Sequence, residues 1–157
     1  MKSRSFFFLF VAVLMLASAG ADGISRQYIK SGEQNFVVKS AGVTRSLRLP
    51  IRIVDWRVDC SESRAVVWGA PKSKLRLGDP PYALAYVVDV NRLKILEKYS
   101  MTRGPYGAEF SADRKLILVD ETLIEFDTGK LVKKFRSEDF LFERETCADF
   151  SGRQLFK

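Results

Sequence analysis

The chain contains no histidine. That removes the commonest general base in enzymes and the commonest metal ligand. It also leaves Cys60 and every serine without a histidine to activate it as a nucleophile. There are only two cysteines, Cys60 and Cys147, too few to build a structural zinc site without histidine. No glycine-rich phosphate loop follows an apolar run, and no spaced aspartate-rich loop offers a calcium site. The carboxylates that stand out, Asp89 and the Asp120-Glu121 pair, fall where tight turns are expected, and turns commonly carry acids. The expectation is a protein without enzymatic activity, with no cofactor and no metal.

Long apolar runs are equally scarce. The one that exists lies at residues 6–16, behind Lys2 and Arg4. It is too short to span a bilayer. Ala17-Ser18-Ala19 and Ala19-Gly20-Ala21 both follow it with a small-x-small cleavage pattern, so residues 1–21 read as a secretory signal peptide. No cysteine sits directly after the run to take a lipid. An exported chain follows, periplasmic or secreted, with no transmembrane segment after cleavage. Loss of Lys2 and Arg4 leaves 24 basic against 19 acidic side chains. That modest excess permits an acidic protein partner and gives no nucleic-acid footprint. Cys60 and Cys147 enter an oxidising compartment on this reading, where either a disulfide or two separate buried thiols would serve. A disulfide closing so long a loop would add roughly 4 to 5 kcal/mol in the chain-entropy view.

What the chain does have is repetition. Residues 58–67, 108–117 and 148–156 share one pattern: small or apolar, acidic, apolar, serine, a polar turn, then apolar again. Aligned on Ser61, Ser111 and Ser151, they lie 50 and 40 positions apart. In this alignment Cys60 takes the place of Phe110 and Phe150, which favours its burial. Residues 87–99 also align without gaps on 123–135, an offset of 36. Units of roughly 40 to 50 residues with four short strands each are the signature of propeller blades. Phe110-Ser111-Ala112-Asp113-Arg114-Lys115-Leu116 resembles the Phe-Ser-Pro-Asp-Gly-x-Leu turn of WD-repeat and YVTN-type propellers. Glu125-Phe126-Asp127-Thr128-Gly129-Lys130-Leu131 is similar to the strand pair that follows it there. The chain departs from that pattern at Ala112, at Arg114 and in lacking a Trp-Asp dipeptide. The resemblance implies an all-β fold of antiparallel four-stranded, blade-like sheets, either an incomplete propeller or a sandwich-like arrangement. It carries little about function, because propellers host many activities.

The remaining segments fill in a single β-repeat domain over residues 34–157, behind a loose leader at 22–33. Residues 34–39 read as a strand and 41–44 as a turn. From Leu47 to Val54 apolar and basic or polar residues alternate, the mark of one half-buried strand, with Arg48 and Arg52 on its solvated face. Pro50 confines that strand to an edge or a bulge. Residues 69–81 form the longest connection, inside the first unit. Residues 149–157 close the chain as a last hairpin. Two full units plus two terminal hairpins are fewer than the 4 to 8 blades of a closed ring. The chain is therefore expected to be a monomeric arc of sheets, or a dimer that completes a ring.

In blade topology the connection between strands two and three emerges on the same side as the connection between blades. Lys72, Lys74, Arg76, Arg103 and Tyr106 would gather there, joined by Asp139 and Phe140 from the linker after residue 135. Mixed charge with aromatics is how protein interfaces look. The expected function is a non-enzymatic, exported protein-binding module, such as a periplasmic immunity protein that neutralises a bacterial toxin, for example a type VI secretion phospholipase. The alternatives are an envelope scaffold and a binder of acidic glycan or lipid head groups.

Overall fold

The computed structural model describes residues 26–31, 33–72, 82–102, 105, 107–134 and 143–147. These build three antiparallel sheets, with no helix among them. The first sheet is β1 (Gln27–Ser31), β2 (Asn35–Ser40) and β3 (Val43–Arg48), in that order. The second is β4 (Ile51–Val58), β5 (Arg64–Pro71), β6 (Ala83–Asp89) and β7 (Lys94–Met101), each paired with the next. The third repeats this meander with β8 (Ala108–Phe110), β9 (Leu116–Val119), β10 (Thr122–Glu125) and β11 (Leu131–Lys134). The expected all-β architecture of small four-stranded antiparallel sheets is what the chain adopts, and none of the sheets closes into a barrel.

Two local expectations change. The segment taken for a leader carries β1, which pairs with β2 from Gln27↔Lys39 to Ser31↔Asn35 and turns Tyr28 into the core. The alternating run at 47–54 is two strands of different sheets. Pro50 has no N–H to give a ladder, and the chain switches sheets across Leu49 and Pro50. The Leu49 and Ile53 amides instead donate to the carbonyls of Gln34 (2.9 Å) and Glu33 (2.7 Å). Period two still sorted the faces correctly, because Leu49, Ile51 and Ile53 are buried while Arg48, Arg52 and Val54 face solvent. The turn before this run is tighter than expected. It needs only Ala41 and Gly42, whose φ of 49° and 77° have the signs a two-residue type I′ hairpin requires.

The second sheet is the middle layer. One of its faces puts Ile51, Ile53, Trp56, Val58, Ala65, Val67, Tyr86, Val88 and Val90 against Tyr28, Phe36 and Val38 of the first sheet. The other puts Val66, Trp68, Ala85, Val87 and Met101 against Phe110, Ile117, Val119, Ile124 and Phe126 of the third. Burial on both faces explains why β5 and β6 read as unbroken apolar runs rather than as alternating ones. Each fully buried valine here contributes about 1.5 to 3 kcal/mol relative to exposure. Gly69 sits where β4 bulges between Ile53 and Asp55, and a Cβ there would lie 1.9 Å from the Arg52 carbonyl oxygen. Only glycine lets the two backbones approach this closely.

The third sheet copies the second at the level of backbone detail. In both, a first residue's carbonyl accepts from the amide three positions on: Asp59 from Glu62, and Ser111 from Arg114. Both of those third residues have positive φ, 55° and 53°. The side chain of the first residue then caps the returning strand. Asp59 Oδ1 accepts from the amides of Ser63 (2.7 Å) and Arg64 (2.5 Å), and Ser111 Oγ from those of Lys115 (3.2 Å) and Leu116 (2.9 Å). Ser111 is thus the counterpart of Asp59, and the repeat lies 52 positions apart. Alignment on serine had placed it at 50. Each turn uses one acid and one hydroxyl two residues apart, and their order is exchanged: Asp59 with Ser61, and Ser111 with Asp113. The second recurrence keeps its offset of 36. Leu93 and Gly129 both have positive φ, 48° and 73°, and β6–β7 and β10–β11 break register at Val87/Val88 and Leu123/Ile124, which correspond.

Candidate functional site

The sheets are tied together by polar contacts at their turns. Arg64, leading into β5, donates from Nε to the Phe126 carbonyl at 3.0 Å. Its guanidinium lies 5.4 Å from the centre of the Phe126 ring and 3.4 Å from the Asp89 carboxylate. The Tyr99 hydroxyl donates to the Gly129 carbonyl. Burial, helped by the Glu97 carboxylate, pushes the Tyr99 phenol up to about 12. On the other side, the Tyr28 hydroxyl donates to Glu62 at 2.7 Å. Burial first, then that carboxylate, moves Tyr28 well above the usual phenol range.

The strongest tie is covalent. Cys60, in the turn after β4, is disulfide-bonded to Cys147, with the Cα atoms 5.7 Å apart. Of the two arrangements open to these cysteines, this is the one adopted, and Cys60 is half-buried rather than a core residue. The bond anchors residues 143–147 beside the free edge of β8. There Arg144 bridges Ser111, the Ala112 amide donates to the Glu143 carbonyl (2.8 Å), and the Glu145 amide donates to the Phe110 carbonyl (2.9 Å). The Glu145 carboxylate is nearly buried. It accepts the Cys60 amide at 2.7 Å and lies 3.4 Å from Arg114 Nε. Arg144 Nε lies 2.9 Å from Glu109 Oε2, though off the line of a hydrogen bond, so charge attraction rather than directed bonding holds that pair. A cleft of about 160 Å³ lies between Arg57, Val58, Glu109, Phe110, Arg144 and Glu145, with both cysteines of the disulfide also in its lining. Its charges are matched within the protein, so it is built as a joint. Among the described residues no group of three or more acidic or cysteine side chains is placed to hold a metal ion. No helix among them is long and apolar enough to cross a membrane.

Of the residues expected to meet a partner, Lys72 lies among those described. It is exposed, just past β5, and its Nζ donates to Gln34 Oε1 at 3.3 Å. Lys74, Arg76, Arg103, Tyr106, Asp139 and Phe140 lie outside the described residues. Their anchor points are defined all the same. Gly69 pairs with Leu84, and Ala83 with Met101, so the connections over 73–81 and 103–106 leave from one end of the second sheet. Lys134 pairs with Thr122 at the corresponding end of the third, where residue 135 continues. The disulfide is at the opposite end, with the Asp59 and Ser111 turns.

The sequence reading passed over a basic, partly apolar edge. β11 is exposed at all four positions, with Leu131 at 50% and Val132 at 54%, and it is flanked or occupied by the exposed Lys130, Lys133 and Lys134. The 36-residue alignment held the signal, because it sets Lys133 on Glu97, an acid replaced by a base. Glu145 was also missed as a connector, since nothing in its neighbourhood distinguishes it from the acids of a solvated loop. Compared with protein-family models, curated proteins and solved structures, the chain finds no significant match.

Proposed function

We propose that this chain is an exported, non-enzymatic protein-binding module built from propeller-like blades, acting as a periplasmic immunity protein that binds and neutralises a bacterial toxin. The observation that carries this reading is the common exit of the connections over 73–81 and 103–106 from one end of the second sheet. Lys72 sits at that end, and the segments that carry Lys74, Arg76 and Arg103 begin there. Loops on a fixed scaffold are where binding residues concentrate. The Cys60–Cys147 disulfide supports export, because such bonds persist in oxidising compartments.

The test is rescue of cells that express a periplasmically directed toxin encoded beside this chain. Co-expression of the intact chain restores growth on this reading, and the double variant Arg76→Glu/Arg103→Glu fails to do so while remaining folded. Equal rescue by both chains would remove this face from the function. Absence of rescue by the intact chain would remove the toxin reading itself.

A further inference from the structure

Two outer strands of this protein have the same design and opposite surroundings. β7 and β11 are each the last strand of their sheet, each follows a turn with a positive-φ residue, and each carries a bulge at the same place. Ile95 and Leu96 of β7 correspond to Leu131 and Val132 of β11. Ile95 is packed against the core shared with the first sheet, and Leu96 against the core shared with the third. Leu131 and Val132 are each half exposed, and they account for two of the four large apolar side chains that stand out to solvent among the described residues. The charge pattern differs as well. β7 sets Glu97 between Lys94 and Lys98, whereas lysine stands at all three corresponding positions, 130 just before β11 and 133 and 134 within it. No carboxylate lies within ion-pair distance of these three lysines among the described residues. Among the described residues no strand lies beyond β11 in its sheet.

We propose that the outer edge of β11 is a docking site for an extended acidic segment of a partner protein, which adds to the third sheet as a fifth strand. An open edge offers backbone donors and acceptors to any extended chain, and side-chain chemistry selects which one. Here Leu131 and Val132 provide apolar contact, and Lys130, Lys133 and Lys134 attract carboxylates of the incoming strand; Lys133 and Lys134 are neighbours and point to opposite faces, so acids on both faces of that strand are matched. Opposite charges across a strand pair stabilise it, and like charges oppose it. Edge lysines also guard against indiscriminate pairing. A second copy of this chain would bring the lysines of both β11 strands along one seam, so the same charges that admit an acidic strand exclude self-association. This surface is distinct from the loop end proposed above and stands or falls separately from the toxin reading.

The experiment is selection of a displayed random decapeptide library on the purified full chain. The expected winners combine apolar residues with Asp or Glu at neighbouring positions, so that both faces of the added strand carry an acid. Their binding weakens at least about tenfold in the Lys133→Glu/Lys134→Glu variant, a change of about 1.4 kcal/mol. Selection on that variant should then enrich Lys and Arg, an inversion that loss of folding cannot produce. Amide exchange at 131–134 should slow in the complex with the selected peptide, and that at 94–98 should not. Enrichment without acidic preference, enrichment unmoved by charge reversal, or a dimer of the free chain that the reversal changes would each overturn the proposal. Acidic peptides selected together with failed toxin rescue would leave the edge standing and dismiss the immunity reading.

Discussion

The second and third sheets share turns, bulges and strand order, yet they are held in different ways. The second is wedged between two neighbours and buries both faces of β5 and β6. Its strands run to seven and eight residues, and the long connection over 73–81 links the middle pair. The third has strands of three and four residues and a two-residue turn, Asp120-Glu121, in the corresponding place. Only one of its faces meets another described sheet. What it lacks in burial is made up at its first strand: the disulfide, the Glu145 carboxylate and the backbone bonds of residues 143–147 all converge on the edge of β8. The lesson is that a copied backbone plan does not copy the source of stability. A middle sheet is secured by packing, and an outer one here by a covalent and polar joint.

Severing that joint should produce the largest effect. With the two cysteines 87 positions apart, replacing both by serine should cost roughly 4 to 5 kcal/mol in denaturant unfolding. Amide protection should fall first in β8 to β11. If the second and third sheets lose protection together, the contrast between packing and joint is wrong.

The two capping residues sharpen the comparison next. Asp59 is fully buried, and its carboxylate accepts amides of Ser61, Ser63 and Arg64. Asp59→Ala strands these donors and should cost roughly 2 to 3 kcal/mol, because hydrogen bonds to charged groups are the stronger ones. Ser111→Ala removes a neutral cap from two amides and should cost about 1 kcal/mol. Equal losses in thermal melts would mean that exchanging acid and hydroxyl between the turns has no energetic meaning.

The smallest effect lies at the contact between the two sheets. Tyr99→Phe deletes the hydroxyl bond to Gly129 and should cost about 1 kcal/mol or less at neutral pH. Its pH signature is more telling. The folded phenol titrates near 12 and the unfolded one near its ordinary value, so the unfolded chain releases this proton first. The stability involved is complete below pH 10 and is lost as pH rises from 10 through about 12. The difference in unfolding free energy between the wild-type chain and Tyr99→Phe should shrink over that window. Tyr28 and Tyr86, also raised by burial, titrate in both chains and cancel in the subtraction.

Much of this plan was legible beforehand. Apolar runs of the right length marked β5 and β6, and the alternation from Leu47 to Val54 marked the inner face correctly. The 36-residue recurrence paired two segments that turn out to share a bulge and a left-handed turn residue. Other features were hidden for identifiable reasons. Serine was the visible landmark in the turn repeat, but the position that matters accepts either an aspartate or a serine, so matching letters misplaced the register by two. The break at Pro50 was ambiguous, because a missing amide is compatible with an edge, a bulge or a change of sheet. β1 was obscured by its polar composition, with Tyr28 the main residue it commits to the core. The basic edge of β11 was passed over because exposed lysines look alike until the environment of their counterparts in β7 is known.

The amino-acid order by itself determined part of the local pattern: the apolar runs of β5 and β6, the turns that separate strands, and which side chains point the same way. These depend on residues a few positions apart, and sterics and period settle them. Which sheet covers which, whether the two cysteines meet, and which edge stays open among the described residues were decided only by the tertiary structure. Those outcomes depend on contacts between residues tens of positions apart, where many pairings bury similar apolar area and only the assembled layers select one.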